Sequence, residues 1–182
     1  MEEMELRIIK INVDEIKHKL KEIKAIKVKE EYQINDIYDF PDRRLLNNKG
    51  YARIRIVEDN LNKLTVNYIT TKKLLSQKKY KVMEEHETTI EDATQGASIF
   101  QTLGLELVQS IKKHRESYKY KNSLVEIDIN DENFCPFPYI EIESTSEEEI
   151  KEIVSLLGYT MEDTTSKTIF EILNQEGTVK GL

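Results

Sequence analysis

Alternating apolar and polar residues are the main pattern of the chain. From Met4 to Ile8, apolar positions alternate with charged ones, which is the period of a strand and places Glu3, Glu5 and Arg7 on one face. The same alternation predicts further strands over residues 28–38, 51–57, 64–68, 82–90, 107–118, 124–129 and 139–143. The sequence therefore predicts a domain that is built mainly from strands.

Helical periods follow three of these strands, and each begins at a residue that can cap a helix. The capping residues are Asn12, Asp92 and Ser146. The first helix is expected to end near Ala25, and a short last helix is expected over residues 165–173. We expect one domain over residues 1–175, followed by a flexible tail over residues 176–182.

The charged residues of the strands are sorted by sign. Three strands carry acidic pairs, which are Glu3 and Glu5, Glu85 and Glu87, and Glu141 and Glu143; the strand cations include Arg7, Arg53, Arg55, Lys113 and Arg115. An antiparallel sheet with one solvated face also alternates in this way, and it stays the alternative. Like charges two residues apart repel, and an enclosed space screens them less than bulk water does. The sorting therefore favours an α+β fold: a closed antiparallel eight-stranded β-barrel with the charges inside and the helices packed outside.

The composition narrows the functional classes. The 182 residues include 27 Lys and Arg against 34 Asp and Glu, and the net charge of -7 disfavours nucleic acid as a partner. The single cysteine, Cys135, cannot form an intrachain disulfide, and no apolar run is long enough to indicate a signal peptide or a membrane span. A cytoplasmic protein that does not bind membranes is the expectation.

A barrel lumen that holds both signs of charge suits a complex of a metal ion with a triphosphate. Arginine and lysine side chains supply the donors that hold phosphate oxygens. Hard cations such as Mg²⁺ prefer carboxylate oxygens and keep several waters. An acidic wall and a basic wall could therefore hold the two halves of such a complex.

At these residues the sequence resembles the CYTH superfamily, the triphosphate tunnel metalloenzymes that include class IV adenylyl cyclases, thiamine triphosphatases and inorganic triphosphatases. The segment from Glu3 to Arg7 is similar to the family's opening Glu-x-Glu-x-Lys motif, and residues 38–46 and 50–55 resemble its Pro-Asp turn and Arg-x-Arg strand. The remaining motifs follow in the family's order and are Glu85-His86-Glu87, Lys113-His114-Arg115, Asp128 and Glu141-Ile142-Glu143. The resemblance covers about residues 3 to 171.

The resemblance implies an antiparallel triphosphate tunnel with Mg²⁺ or Mn²⁺ as the cofactor. The implied metal ligands are Glu3, Glu5, Glu85, Glu87, Asp128, Glu141 and Glu143. The implied triphosphate-binding residues are Arg7, Arg53, Arg55, Lys81, Lys113, Arg115 and Lys167, the last on the closing helix. The implied catalytic residues are Glu5, Arg53, Lys113 and Lys167.

Two departures from the family pattern weaken the predicted basic wall. The family usually has lysine where Asn67 stands and a basic residue where Met83 stands, so each change is expected to remove a phosphate contact. Lys81 is one expected substitute. A lysine from residues 72–79 is another, although the lysine-rich stretch of residues 72–81 is typical of a solvated loop.

The leading functional hypothesis is metal-dependent hydrolysis of inorganic triphosphate or of a nucleoside or other organic triphosphate. Two alternatives stay open: a class IV adenylyl cyclase that makes cyclic AMP and pyrophosphate from ATP, and a non-catalytic nucleotide or polyphosphate binder. The expected partner is a small-molecule triphosphate, and a homodimer remains an open alternative for the assembly.

Overall fold

The computed structural model describes residues 4–177 of the chain. Its eight strands are β1 (Met4–Ile9), β2 (Ile26–Asp39), β3 (Tyr51–Asp59), β4 (Leu64–Gln77), β5 (Lys81–Ile90), β6 (Glu106–Tyr120), β7 (Ser123–Asn130) and β8 (Tyr139–Ser144). Its α-helices are α1 (Val13–Glu22), α2 (Arg44–Asn47), α3 (Ala93–Thr102), α4 (Glu147–Leu156) and α5 (Ile169–Gln175), and a 3-10 turn spans Met161–Asp163.

The strands form a closed barrel in the order β1-β5-β4-β3-β2-β6-β7-β8, and every neighbouring pair is antiparallel. The predicted α+β fold, a closed eight-stranded antiparallel barrel with external helices, is therefore confirmed. The barrel closes where β1 meets β5, and the residue pairs described there are Met4 with Val82 and Glu5 with Lys81.

Most of the hydrophobic core lies outside the barrel, between its wall and the helices. Leu6 and Ile142, which point outward from β1 and β8, are almost fully buried in one cluster with Ile16 of α1 and Ile153 of α4. A second cluster includes Ile54 of β3 and residues of α3. A third cluster lies beside α5 and includes residues that face the inside of the barrel, which are Ile37, Ile111 and Tyr139. Because most apolar residues of the strands take the outer face, the alternating charged residues point into the barrel.

The capping predictions for the first three long helices are confirmed, but the predicted limits of two helices are not. Asn12, Asp92 and Ser146 each accept a hydrogen bond from a backbone amide in the first turn of their helix. Helix α1 ends at Glu22, before Ala25, because Lys24 takes a positive φ of 59° and the chain turns into β2. Helix α5 begins at Ile169, four residues after the predicted start.

Strand β4 corrects the prediction of a solvated loop over residues 72–81. The strand continues to Gln77, and Lys72 and Lys73 stand opposite Glu85 and Glu84 of β5. Opposite charges that face each other across a ladder stabilise the pairing, so lysines can occupy these strand positions. Because β4 continues through Lys72, that side chain points into the barrel.

Two predictions fall on parts of the chain that the structure does not describe. Glu3 lies outside the described residues, as do residues 178–182 of the expected tail. Among the helices that are described, none is both long enough and apolar enough to cross a bilayer.

Candidate functional site

A cavity of about 360 Å³ lies inside the barrel, and its lining is rich in charge. Its cationic side chains are Arg7, Lys49, Arg53, Arg55, Lys72, Lys81, Lys113 and Arg115, and its carboxylates are Glu5, Glu141, Glu143 and Glu171. Among residues 4–177, cations of this lining therefore outnumber carboxylates by eight to four, in a chain whose net charge is -7. Such a local excess of positive charge favours a polyanionic ligand.

One side of the cavity is an acidic cluster formed by β7 and β8. One carboxylate oxygen each from Glu126, Glu141 and Glu143 lies within 4.8 Å of the other two. Glu126 stands directly opposite Glu141 across the β7–β8 ladder, and Glu5 stands opposite Glu143 across the β1–β8 ladder. Like charges that face each other in this way are destabilising unless something compensates them.

Glu143 shows the consequence of that crowding. Burial and the neighbouring carboxylates of Glu126, Glu141 and Glu5 raise the pKa of the Glu143 carboxyl to about 8. A divalent cation would remove the repulsion, and three converging carboxylates are the oxygen donors that Mg²⁺ and Mn²⁺ accept. The residues of this cluster therefore fit the metal ion that the family resemblance implies.

Buried arginine side chains form ion pairs with two carboxylates of the barrel interior, Glu141 and Asp128. The Arg7 guanidinium donates from Nε to Glu141 Oε1 at 2.7 Å, and Arg115 binds both oxygens of Asp128 at 2.6 Å. Burial alone would raise the pKa of the Glu141 carboxyl, but Arg7, Arg115 and Lys113 hold it well below its usual range. Glu141 is therefore ionised.

Asp128 is committed to cations of the protein itself. Besides the paired Arg115, it accepts a hydrogen bond from Lys113 Nζ at 2.7 Å, and its side chain is fully buried. These two cations outweigh burial and lower the pKa of the Asp128 carboxyl. The structure thus places Asp128 as an anchor for two cavity cations and outside the acidic cluster.

The second predicted acidic pair lies elsewhere in the barrel, among cations. Glu85 Oε2 is 2.7 Å from Lys72 Nζ, and Glu87 Oε2 is 2.5 Å from Arg55 Nη2 and 3.3 Å from Arg53 Nη2. Neither glutamate lines the cavity or belongs to the acidic cluster. The structure therefore separates Glu85 and Glu87 from Glu5, Glu141 and Glu143.

Lys72 and Tyr51 line the cavity; Lys72 is one of the lysines of residues 72–79 that were expected as substitutes, whereas Tyr51 was not predicted. They stand opposite each other across β3 and β4. Burial alone would raise the pKa of the Tyr51 phenol, but Lys72, Arg53 and Lys81 outweigh it and lower that pKa. Lys72 lies two residues after Thr70 and points to the same inward face of β4. Had the predicted strand been extended beyond Tyr68, the same alternation would have placed Lys72 inside the barrel.

Glu126 is a further residue that the predicted site lacked. Its signal is present in the sequence, because Glu126 and Asp128 form an acidic pair two residues apart, as in the three Glu-x-Glu strands. Burial leaves the Glu126 side chain only 6% exposed, beside the Arg115 guanidinium.

Lys167 does not join the cavity. Its ammonium donates a hydrogen bond to Gln175 Oε1 at 2.9 Å on the exposed side of α5, whereas its backbone carbonyl accepts from Arg7 Nη1 at 2.8 Å. The segment before α5 therefore contacts the site through its backbone. Beside this segment, at the opening of the cavity, Lys49 and Glu171 form an ion pair with a distance of 2.7 Å between Lys49 Nζ and Glu171 Oε1.

The two residues that depart from the family pattern, Met83 and Asn67, face opposite sides of the barrel wall. Met83 lines the cavity, as expected of an inward position. Asn67 stands opposite Ile56 and Ile90, on the outer phase of β4, and its amide donates to the carbonyl of Glu91 at 3.1 Å. The expected loss of a phosphate contact at Asn67 is thus wrong for this structure, because that side chain faces away from the lumen. Lys81 takes the predicted inward position and donates to Glu5 Oε1 at 2.6 Å.

Solved structures and a family model agree with this architecture. The PH1819 protein from Pyrococcus horikoshii OT3 is 25% identical, with a TM-score of 0.79 over 96% of this chain and 99% of that chain. The PH1012 protein from the same organism is 25% identical, with a TM-score of 0.75 over 94% and 98%. HpAC1 from Hippeastrum, for which a dominant triphosphatase activity is described, is 17% identical, with a TM-score of 0.70 over 99% and 98%.

No curated protein has a matching sequence. The model of the CYTH domain, in contrast, matches residues 1–169. That match covers the whole barrel and the cavity lining up to the start of α5. The chain therefore belongs to the CYTH domain family.

Proposed function

We propose that this protein binds and hydrolyses a small-molecule triphosphate in the barrel cavity, with Mg²⁺ or Mn²⁺ as the cofactor. The observation that carries the proposal is a cluster of three carboxylates, two of which line the cavity, beside a larger set of cavity cations. A triphosphate with its metal ion has the complementary division of charge. The triphosphatase activity described for HpAC1 agrees with this reading.

In this proposal the acidic cluster holds the cation. Glu126, Glu141 and Glu143 supply the ligands, and Glu5 extends the cluster from the opposite strand. A bound divalent cation neutralises phosphate charge and activates water for attack. Mg²⁺ and Mn²⁺ both suit oxygen ligands of this kind.

The cations of the cavity bind the phosphates and stabilise the charge that develops on the transferred group. Arg7 and Arg115 are fixed by carboxylates and so form a rigid part of the wall. Arg53, Arg55, Lys72 and Lys81 approach from β3, β4 and β5. The fixed positions of Arg7 and Arg115 would spare the protein much of the cost of reorganising around the charge.

Lys113 is the cavity cation best suited to exchange a proton. Burial and the adjacent Arg115 lower the pKa of the Lys113 ammonium, while Asp128 keeps its position. We assign it the role of giving a proton to a departing phosphate oxygen.

The deciding experiment is a product assay with inorganic tripolyphosphate and ATP, each with Mg²⁺ or Mn²⁺. We expect release of phosphate, and a fall of at least ~100-fold in kcat for Lys113→Met. Lys112→Met is the matched control, because Lys112 is the exposed neighbour on the same strand. No phosphate release with any substrate would overturn hydrolysis, and cyclic AMP with pyrophosphate from ATP would assign cyclisation to the same cavity.

A further inference from the structure

Three buried side chains on β2 form a chain of hydrogen bonds that points in one direction. Gln33 Nε2 donates to Glu31 Oε2, and Asn35 Nδ2 donates to Gln33 Oε1 at 3.3 Å. The exposed fractions of Glu31, Gln33 and Asn35 are 6%, 2% and 5%. All three lie two residues apart and therefore share the inward face of the strand.

The carboxylate of Glu31 sets that direction. An ionised carboxylate only accepts hydrogen bonds, so Gln33 must turn its NH₂ group toward Glu31 and its oxygen toward Asn35. Asn35 must then turn its own NH₂ group toward Gln33, which leaves Oδ1 as its free atom. The Nζ of Lys29 lies 3.7 Å from Glu31 Oε1, so a cation stands beside this carboxylate.

The free oxygen of Asn35 has no hydrogen-bond partner among residues 4–177. Across the β2–β3 ladder, the residue directly opposite Asn35 is Arg55. The Nε of Arg55 is also buried and also lacks a partner in the described part of the chain. A buried acceptor and a buried donor therefore occur on facing residues, whose Cβ atoms in such a pair are about 5 Å apart.

Arg55 is held away from Asn35 by a competing carboxylate. Its Nη2 lies 2.5 Å from Glu87 Oε2, and Glu87 also accepts from Thr70 Oγ1 at 2.7 Å. Arg53 offers an internal contrast: its Nε is likewise without a partner, but Ile37 stands opposite it and has no acceptor. Of these two arginines, only Arg55 faces a side chain that can accept a hydrogen bond from its Nε.

We propose that Arg55 has two positions, one on Glu87 and one on Asn35, and that a bound triphosphate selects the second. In the second position, Nε would donate to Asn35 Oδ1 while the two terminal nitrogens stay free to bind phosphate oxygens. Glu31 and Gln33 are positioning residues that keep the acceptor of Asn35 turned toward Arg55. Glu87 competes with the ligand for the guanidinium. This inference rests on the proposed function and assigns residues that position one of its phosphate-binding groups.

The proposal requires opposite effects from two substitutions. Glu87→Gln removes the competing charge, so we expect inorganic tripolyphosphate to bind more tightly, by about threefold to tenfold. Asn35→Leu removes the acceptor, so we expect binding to weaken by a similar factor, with KM affected more than kcat. Glu31→Gln should weaken binding less than Asn35→Leu does, because the relay can then adopt either direction.

Isothermal titration calorimetry with inorganic tripolyphosphate and Mg²⁺ is the test, and Asp36→Asn is the matched control. Asp36 lies on the same strand with its side chain on the outer phase, so its substitution should leave the affinity unchanged. Circular dichroism establishes that each variant is folded. Steady-state kinetics on the same variants gives the division between KM and kcat.

A double-mutant cycle separates positioning from general damage. If Asn35 acts through Arg55, then Asn35→Leu should cause no further loss of affinity in an Arg55→Ala background. Independent, additive losses would overturn the proposal, as would weaker binding by Glu87→Gln. Because binding is measured apart from turnover, absence of hydrolysis would refute the proposed function without deciding this inference.

Discussion

Two Glu-x-Glu strands of the barrel carry the same motif in opposite electrostatic settings. Glu141 and Glu143 on β8 lie beside the carboxylates of Glu126 and Glu5, whereas Glu85 and Glu87 on β5 contact Arg53, Arg55 and Lys72. The motif determines that two carboxylates face the lumen. The residues of the adjacent strands determine whether those carboxylates face further carboxylates, as Glu143 does, or cations of the protein, as Glu87 does.

The largest expected difference between the two strands is catalytic. Glu143→Gln removes a ligand from the acidic cluster, so we expect hydrolysis to fall at least ~100-fold, because transition-state charge is then poorly neutralised. Glu87→Gln breaks only ion pairs within the protein and should reduce kcat less than ~10-fold. Steady-state phosphate release at saturating Mn²⁺ measures both, and equal losses would remove the distinction between the strands.

A smaller effect is expected from the cation that β4 contributes. Lys72→Ala removes an ammonium from the cavity, and we expect kcat/KM for tripolyphosphate to fall about 10-fold to 100-fold. Lys73→Ala, an exposed neighbour on the same strand, serves as the control and should change kcat/KM less than about twofold. If Lys73→Ala is as harmful as Lys72→Ala, the inward orientation of Lys72 is irrelevant to substrate.

Glu143 and Glu87, one residue from each acidic pair, should also respond to pH in opposite directions. The pKa of Glu143 is raised to about 8 from its usual value of 4.5, so the folded protein binds more protons there, and stability falls as pH rises through this interval. Arg55, the hydroxyl of Thr70 and Arg53 outweigh burial and lower the pKa of Glu87, so its contribution to stability is present at neutral pH and is lost in acid.

Thermal unfolding with a chelator present, between pH 5 and pH 9, measures this difference. Glu143→Gln should flatten the loss of stability toward pH 9, by on the order of 2 kcal/mol relative to the wild type. Glu87→Gln should instead flatten the loss toward acid. A wild-type curve that Glu143→Gln leaves unchanged would show that the carboxylates of β8 do not repel one another.

The smallest expected effect concerns the outer face of β4. Asn67→Lys places a lysine where the family usually has one, yet this position faces outward, so we expect no change in tripolyphosphate affinity beyond about twofold. Met83→Lys adds a cation to the cavity lining and should tighten binding several-fold. Tighter binding by Asn67→Lys would instead place that side chain in the lumen.

The sequence predicted the barrel well because alternation is a direct consequence of strand geometry. The cavity is lined, as the alternation along the strands predicted, by Arg53, Arg55, Lys113 and Arg115. The division of the carboxylates into two groups could not be predicted, because it depends on which strands are neighbours. β7 lies beside β8, whereas β5 lies between β1 and β4, and neither adjacency follows from the periodicity of a single strand.

Lys72 and Lys167 show two further limits of the pattern. The lysine-rich stretch around Lys72 is typical of a loop, and only its pairing with the acidic β5 keeps it extended. Lys167 precedes α5, where the direction of a side chain depends on how the capped helix packs. Thr168, the cap of that helix, also lines the cavity, although its neighbour Lys167 does not.

The seam between β1 and β5 makes ligand binding and barrel closure a shared process. Within the described residues, one pair of this ladder joins Glu5 to Lys81, both of which line the cavity. A ligand that contacts Glu5 and Lys81 together binds both strands at once, so it stabilises the closed barrel over any state in which β1 and β5 separate. Substrate should therefore slow amide exchange along this seam.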